Sequence, residues 1–232
     1  MFVAILAGLV GCTGSTYGYE GYNMVDHFPL DGTRSWKYSN ETVDHNLIVE
    51  MVDGSSVDSF EIKNLEFWQA DPNNLPATLL FSLSVSSDDV NGVHLHGYTY
   101  YADPVPYDSG DSGDTDTDSD SGAKGPEDTA AFTPPVVLAD KKMVPGDSEL
   151  TDVNGTTWTT TLEGQESCAN HWVNGDQTWD CLHVSLDDGD GDYSAGSPAS
   201  GHFWLAPRYG MSWFQLTGDL DKWVLADADW SE

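Results

Sequence analysis

Phe81, Leu83 and Val85 alternate with serines, and this period of two is the strongest folding constraint in the chain. Successive side chains on a strand point to opposite faces, so the alternation marks a half-buried strand. Residues 47–52, 60–68, 93–101, 156–162, 202–205, 211–216 and 222–226 read as further strands. Asp31-Gly32 and Asn91-Gly92 mark turns. No stretch carries a helical period with caps. Residues 216–223 come nearest, and Gly218 spoils them. The chain reads as mostly β.

Cys168 and Cys181 flank Asn174-Gly175, the strongest short signal for a two-residue type I′ hairpin. Counting outward from that turn pairs Val173 with Asp176 and sets Cys168 directly opposite Cys181, at a non-hydrogen-bonded position where side chains approach closely. With Cys12 used elsewhere, an even pair remains, and a disulfide is expected between them. The alternative is a thiol pair that binds metal with His171 and His183.

Charge bounds the partners. Eight Lys and Arg stand against 39 Asp and Glu, for a net charge of −31. Such a surface repels nucleic-acid phosphates and anionic lipid headgroups, so no nucleic-acid partner is expected. With 39% hydrophobic and 12% aromatic residues among 232, the chain still has enough apolar side chains for a real core. Residues 108–122, built of Asp, Ser, Thr and Gly, are low-complexity. They are expected to form a disordered loop of about 104–130 inserted in a single β domain over 26–232.

The start of the chain carries an address. Residues 2–9 are apolar but too few to span a bilayer, and Leu9-Val10-Gly11-Cys12 resembles a bacterial lipobox. Residues 1–12 therefore read as a lipoprotein signal peptide, with Cys12 lipidated and 13–25 a Gly- and Ser-containing tether. By resemblance to lipoprotein sorting, Thr13 in place of Asp points to the outer membrane, facing the periplasm or the cell surface.

A wider pattern is also visible. Phe28-Pro29-Leu30, Gly32 and Trp36-Lys37-Tyr38 resemble the "FPL-x-G-x-x-W-x-Y" opening of an uncharacterised bacterial lipoprotein family. Further matches follow in order: Gly92-Val93-His94-Leu95-His96-Gly97, Phe132-Thr133-Pro134-Pro135, Gly155-Thr156-Thr157-Trp158, Cys181-Leu182-His183-Val184 and Leu205-Ala206-Pro207-Arg208-Tyr209-Gly210. Arg208 stands where the pattern has glycine. The resemblance implies an antiparallel, strongly curved sheet or half-open barrel. It carries over no catalytic residues.

Candidate chemistry is sparse. His94 and His96 would share a strand face with Tyr98 and Tyr100, at the spacing of a two-histidine metal pair. Asp116, Asp118, Asp120 and Glu127 match part of an EF-hand loop, but Ser121 stands where glycine is needed. Asp188, Asp190 and Asp192 form a second candidate calcium loop. No Gly-x-Ser-x-Gly motif and no phosphate-binding loop is present. The expectation is a membrane-anchored, non-catalytic binding or assembly module without a cofactor. It would hold an apolar ligand or an unknown protein on a tryptophan-lined concave face. The alternatives are a surface structural or calcium-dependent adhesion protein and, third, a metal-dependent enzyme using His94 and His96.

Overall fold

The computed structural model describes residues 21–40, 46–57, 59–70, 78–106, 128–170, 177–189, 199–219 and 222–231. Fourteen strands account for most of them. The first half contains β1 (Tyr22–Asn23), β2 (Thr33–Ser39), β3 (Asn46–Asp53), β4 (Lys63–Ala70), β5 (Thr78–Asp88), β6 (Gly92–Pro106) and β7 (Asp128–Ala139). The second contains β8 (Lys142–Met143), β9 (Ser148–Val153), β10 (Thr156–Asn170), β11 (Gln177–Asp187), β12 (Gly201–Ala206), β13 (Gly210–Leu216) and β14 (Trp223–Ser231). A short 3-10 turn, Met24–His27, follows β1.

Twelve strands form one antiparallel sheet in the order β7-β6-β5-β4-β3-β2-β14-β13-β12-β11-β10-β9. Two meanders, β2–β7 and β9–β14, are joined where β2 pairs with β14. The sheet curls until β7 lies beside β9, making a nearly closed barrel with one seam. The expected mostly β, strongly curved fold is what the chain adopts. Strands on both sides of the Asp-rich segment belong to the same sheet.

Threonines close the seam. Val137 on β7 donates its N–H to Thr151 Oγ1 on β9 (3.2 Å), and its carbonyl accepts from Thr160 Oγ1 on β10 (2.6 Å). Thr160 is fully buried. Each hydroxyl thus satisfies a backbone group that a ladder would otherwise serve. Pro134 and Pro135 lie on β7, a sheet-end strand, where a missing N–H is tolerated.

The alternation predicted from sequence fills the interior. Leu65 and Phe67 of β4, Phe81, Leu83 and Val85 of β5, and Leu182, Val184 and Leu186 of β11 all point inward. Phe67 stacks on Phe81, its ladder partner on β5 (4.1 Å between centroids), and meets Phe214 of β13 edge-on across the barrel (5.8 Å). One interior cavity of about 30 Å³ remains, with a purely apolar lining that includes Val85, Leu95 and Val184. That is room for about one water, in a place with nothing to bind it.

The β13–β14 ladder is short, with only Trp213↔Val224 and Phe214↔Trp223 in register. Trp36 and Tyr38 of β2 reach past β14 to compensate. Trp36 Nε1 donates to the Tyr209 carbonyl (2.8 Å), and the buried Tyr38 phenol donates to the Met211 carbonyl (2.7 Å).

The cysteine hairpin departs from expectation in register. Cys168 lies opposite Trp179 and Cys181 opposite Glu166, two residues from the predicted pairing. Asn170 pairs with Gln177, and the predicted turn at Asn174-Gly175 falls in residues 171–176, which lie outside the described set. Burial sets this register, because Leu162, Leu182 and Val184 must all face inward, and a bulge at Glu163 takes up the offset. The disulfide still forms between diagonal neighbours, with Cα atoms 6.0 Å apart. The same dipeptide makes a two-residue turn at Asn154-Gly155 (φ +54° and +90°), joining Val153 to Thr156.

Past the bulge, the hairpin leaves β12 and lies over the outer face of β12 and β13. Trp213 Nε1 donates to the Ala169 carbonyl (3.0 Å), and Ser212 Oγ donates to Asn170 Oδ1 (2.8 Å). Cys168, Cys181, Trp204 and Ala206 form a second, outer core there, flanked by Trp179, Tyr209 and Trp213. Three boundaries also shift. Tyr22–Asn23 pairs with Lys142–Met143 and Met24 is fully buried, so the expected tether over 13–25 ends before residue 22. Residues 104–106 and 128–130 belong to β6 and β7, not to a disordered loop. The remainder of both segments lies outside the described residues.

Two stability measurements check this account. Tyr38→Phe strands the Met211 carbonyl and lowers unfolding free energy by about 1–3 kcal/mol, read from the urea midpoint. Reducing the disulfide costs about 3 kcal/mol in the same assay, from the loop entropy it removes.

Candidate functional site

A cleft of about 1310 Å³ opens at one mouth of the barrel. Segment 24–30 crosses this mouth. Met24 donates its N–H to the Lys141 carbonyl (3.2 Å), and Phe28 reaches the interior cavity. The "FPL" motif therefore forms part of a plug, and the cleft lies on its outer side. Its walls are Val25, Pro29, Leu30, Pro207 and Tyr209.

Three of the chain's eight Lys and Arg residues, Arg34, Lys63 and Arg208, line this cleft together with His27. Asp26, Asp31 and Glu61 balance them. On a chain of net charge −31, a neutral cleft is the least repulsive place for an anion to approach.

Two of the cations are committed. Arg34 donates from Nη2 to Asp31 Oδ1 (2.5 Å), from Nε to the Asp31 carbonyl (3.1 Å) and from Nη1 to the Arg208 carbonyl (3.1 Å). It thereby ties the Asp31-Gly32 turn to the β12–β13 turn. Its hydrogen bond holds the Asp31 carboxyl below the usual carboxylate range. Lys63 Nζ lies 2.6 Å from Asp53 Oδ1 and 3.4 Å from Glu61 Oε1, and the hydrogen bond to Asp53 raises its pKa.

Arg208 differs. Its backbone is fixed, with the N–H on the Asp26 carbonyl (2.9 Å) and φ at +69°. That left-handed conformation favours glycine and costs about 1–2 kcal/mol in any other residue. Among the described residues no carboxylate pairs with its exposed guanidinium. A strained turn thus presents an uncommitted cation to the cleft. Its one trace in the sequence is an arginine where the resembled motif has glycine.

The histidines singled out from sequence sit elsewhere. His94 and His96 share the outer face of β6, as their spacing predicts, but their ring centroids are 6.5 Å apart and Phe60 packs against both. His96 Nε2 is 2.8 Å from Ser86 Oγ, and the buried His94 Nδ1 has no hydrogen-bond partner. Tyr98 and Tyr100 do not continue this face. A bulge at His96 reverses the alternation and sets Tyr98 opposite Leu83, against the core. Asp188 is partly buried; Asp190, Asp192, Cys12 and the EF-hand-like run lie outside the described residues. Among the described residues, no three His, Cys, Asp or Glu side chains converge as a metal ligand set.

No family model matches the chain, and no curated protein is detectably similar to it. A candidate lipoprotein from Parabacteroides distasonis ATCC 8503, known from its crystal structure, aligns with 88% of this chain and 98% of its own. The identity is 11% and the TM-score 0.35, values at which neither fold nor activity carries from one chain to the other.

The histidines predict a pH dependence. Burial lowers the pKa of His94 and of His96, so the folded state prefers both neutral. The stability this confers is present above the unfolded value of about 6.5 and is lost as pH falls below it. Urea midpoints between pH 8 and 5 should fall on acidification, and the double variant His94→Gln/His96→Gln should flatten that fall.

Proposed function

We propose that this protein is a lipid-anchored, non-catalytic binding module whose ligand is an amphiphile with an acidic head, held at the mouth of the barrel. The observation that carries the reading is Arg208, an exposed guanidinium maintained in a left-handed turn beside a cleft of about 1310 Å³. Strain of this kind persists where the surroundings over-determine it, and such positions cluster at binding sites.

The concave-face carrier expected from sequence is relocated by this reading. The interior is filled by side chains, and its cavity of about 30 Å³ has no room for an acyl chain. Apolar contact is available instead from Val25, Pro29, Leu30, Pro207 and Tyr209, with the acidic head set against Arg208. Lipidation at Cys12 would tie the domain to a membrane, the outer membrane in this reading. Nine residues separate Cys12 from β1, a reach of about 35 Å when extended. The plug and the cleft follow β1 directly, which keeps the binding mouth near the anchoring surface.

Dodecyl phosphate, titrated below its micelle concentration into residues 13–232, tests the proposal by calorimetry. One site should saturate. Arg208→Gly should relieve the turn strain, leave or raise the melting temperature, and lose binding at least tenfold. Unchanged affinity in Arg208→Gly, or no saturable binding in the parent, would sink the reading.

A further inference from the structure

On the outer face of β11 and β12, away from the mouth, two histidines point ring nitrogens at each other. His183 Nε2 and His202 Nδ1 are 3.0 Å apart, and His183 Nδ1 is 2.9 Å from Glu166 Oε1. Their positions follow from the ladder: His183 pairs with Trp204 and Ser185 with His202, so the histidines are diagonal neighbours on one face.

We propose that His183 and His202 form a binding site for a single divalent transition-metal ion of the imidazole-preferring class, Cu²⁺, Ni²⁺ or Zn²⁺. Imidazole nitrogens bind zinc at about 2.0–2.1 Å, and two such ligands at a right or tetrahedral angle stand about 2.9–3.4 Å apart. The two nitrogens are already at that separation. An ion that replaces the proton between them lies off the line joining the two nitrogens, so each ring tilts to aim its lone pair at the ion.

Glu166 sets the chemistry of the first ligand. Trp204 Nε1 donates to Glu166 Oε2 (3.0 Å), leaving Oε1 to accept from His183. An ionised carboxylate only accepts, so Nδ1 of His183 carries the proton. Nε2 of a neutral His183 is then a lone pair aimed at His202. This carboxylate–histidine pairing fixes tautomer and ring orientation in protein metal sites. In the metal-free protein His202 Nδ1 donates to that lone pair. With an ion bound, the proton moves to His202 Nε2, at the exposed side of the ring.

The side chains around the pair hold it in place. The His183 ring stacks on Trp204 at 4.3 Å and 11°. Lys222 Nζ lies 3.8 Å from the same indole ring and offsets the charge of Glu166. Glu163, which accepts from Ser185 Oγ at 2.6 Å, is a further carboxylate whose charge acts on His183. Water, with or without Glu163, would complete the coordination, because no three-residue ligand set converges among the described residues. Soft or borderline ions are favoured over Ca²⁺ by two imidazoles. The acidic surface supplies background for every cation, so selectivity is what the experiment must read.

Trp204 is a built-in reporter. Cu²⁺ or Ni²⁺ titrated at pH 7.4 into residues 13–232, with 5 mM Ca²⁺ present throughout, should quench tryptophan fluorescence with a stoichiometry of one per chain. Zn²⁺ should compete. His202→Asn alters an exposed side chain and should weaken binding by tenfold or more with the melting temperature unchanged. Glu166→Gln should weaken it by roughly 10–100-fold. Trp204→Phe should remove most of the quenching while calorimetry still shows binding. Equal affinity in the parent and in His183→Asn/His202→Asn, or loss of all binding in 5 mM Ca²⁺, would overturn the proposal.

Discussion

Where β13 meets β14 the ladder is two residue pairs long, and side chains from β2 supply what the backbone does not. The indole of Trp36 and the phenol of Tyr38 reach over β14 to the carbonyls of Tyr209 and Met211. These bonds join residues about 170 apart in sequence, so they form only when the two meanders have come together. Everything described at the mouth depends on that join. Tyr209 and Arg208 sit in the turn that Trp36 holds, and Arg34 of the same strand grips that turn from the other side. One strand therefore joins the two meanders and positions the cleft.

The curvature has a second consequence. Twelve strands could enclose a broad lumen, yet this barrel is filled by aromatic rings that meet across it, such as Phe67 and Phe214. A filled barrel is a scaffold: its chemistry has to be on its ends and its outer face. Both places where polar groups converge here obey that rule. The mouth gathers scarce cations around a plug, and the folded-over hairpin builds an outer core whose rim holds His183, His202 and Glu166. The disulfide lies within that outer core, so it braces the outer-face assembly as well as the hairpin.

The strands were legible because alternation is local. Phe81, Leu83 and Val85 announce an inward face without reference to any other part of the chain. The cysteine partnership was legible too, but its register was not, since the buried face of Leu182 and Val184 outweighs an Asn-Gly turn signal. The same dipeptide at 154–155 makes a two-residue turn. Tyr98 was misplaced for a similar reason: a one-residue bulge at His96 turns Tyr98 to the inner face, and a bulge leaves little trace in composition. The mouth was not legible at all. Arg34, Lys63 and Arg208 are brought together from three separated segments, and only closure of the barrel makes them neighbours. The His183–His202 pair likewise needs the β11–β12 register before the spacing means anything.

β6 and β7 are hydrogen-bonded neighbours, so the Asp-rich stretch between Pro106 and Asp128 is topologically a hairpin connection. The ladder pairs Tyr100 with Asp128 whatever lies between them, and the entropy of closing such a connection grows only with the logarithm of its length. The barrel is therefore indifferent to how long or how acidic that stretch becomes. For evolution this is a free site for insertion, where charge or new binding segments accumulate without disturbing a single strand. For an engineer it is the position at which to display a foreign domain.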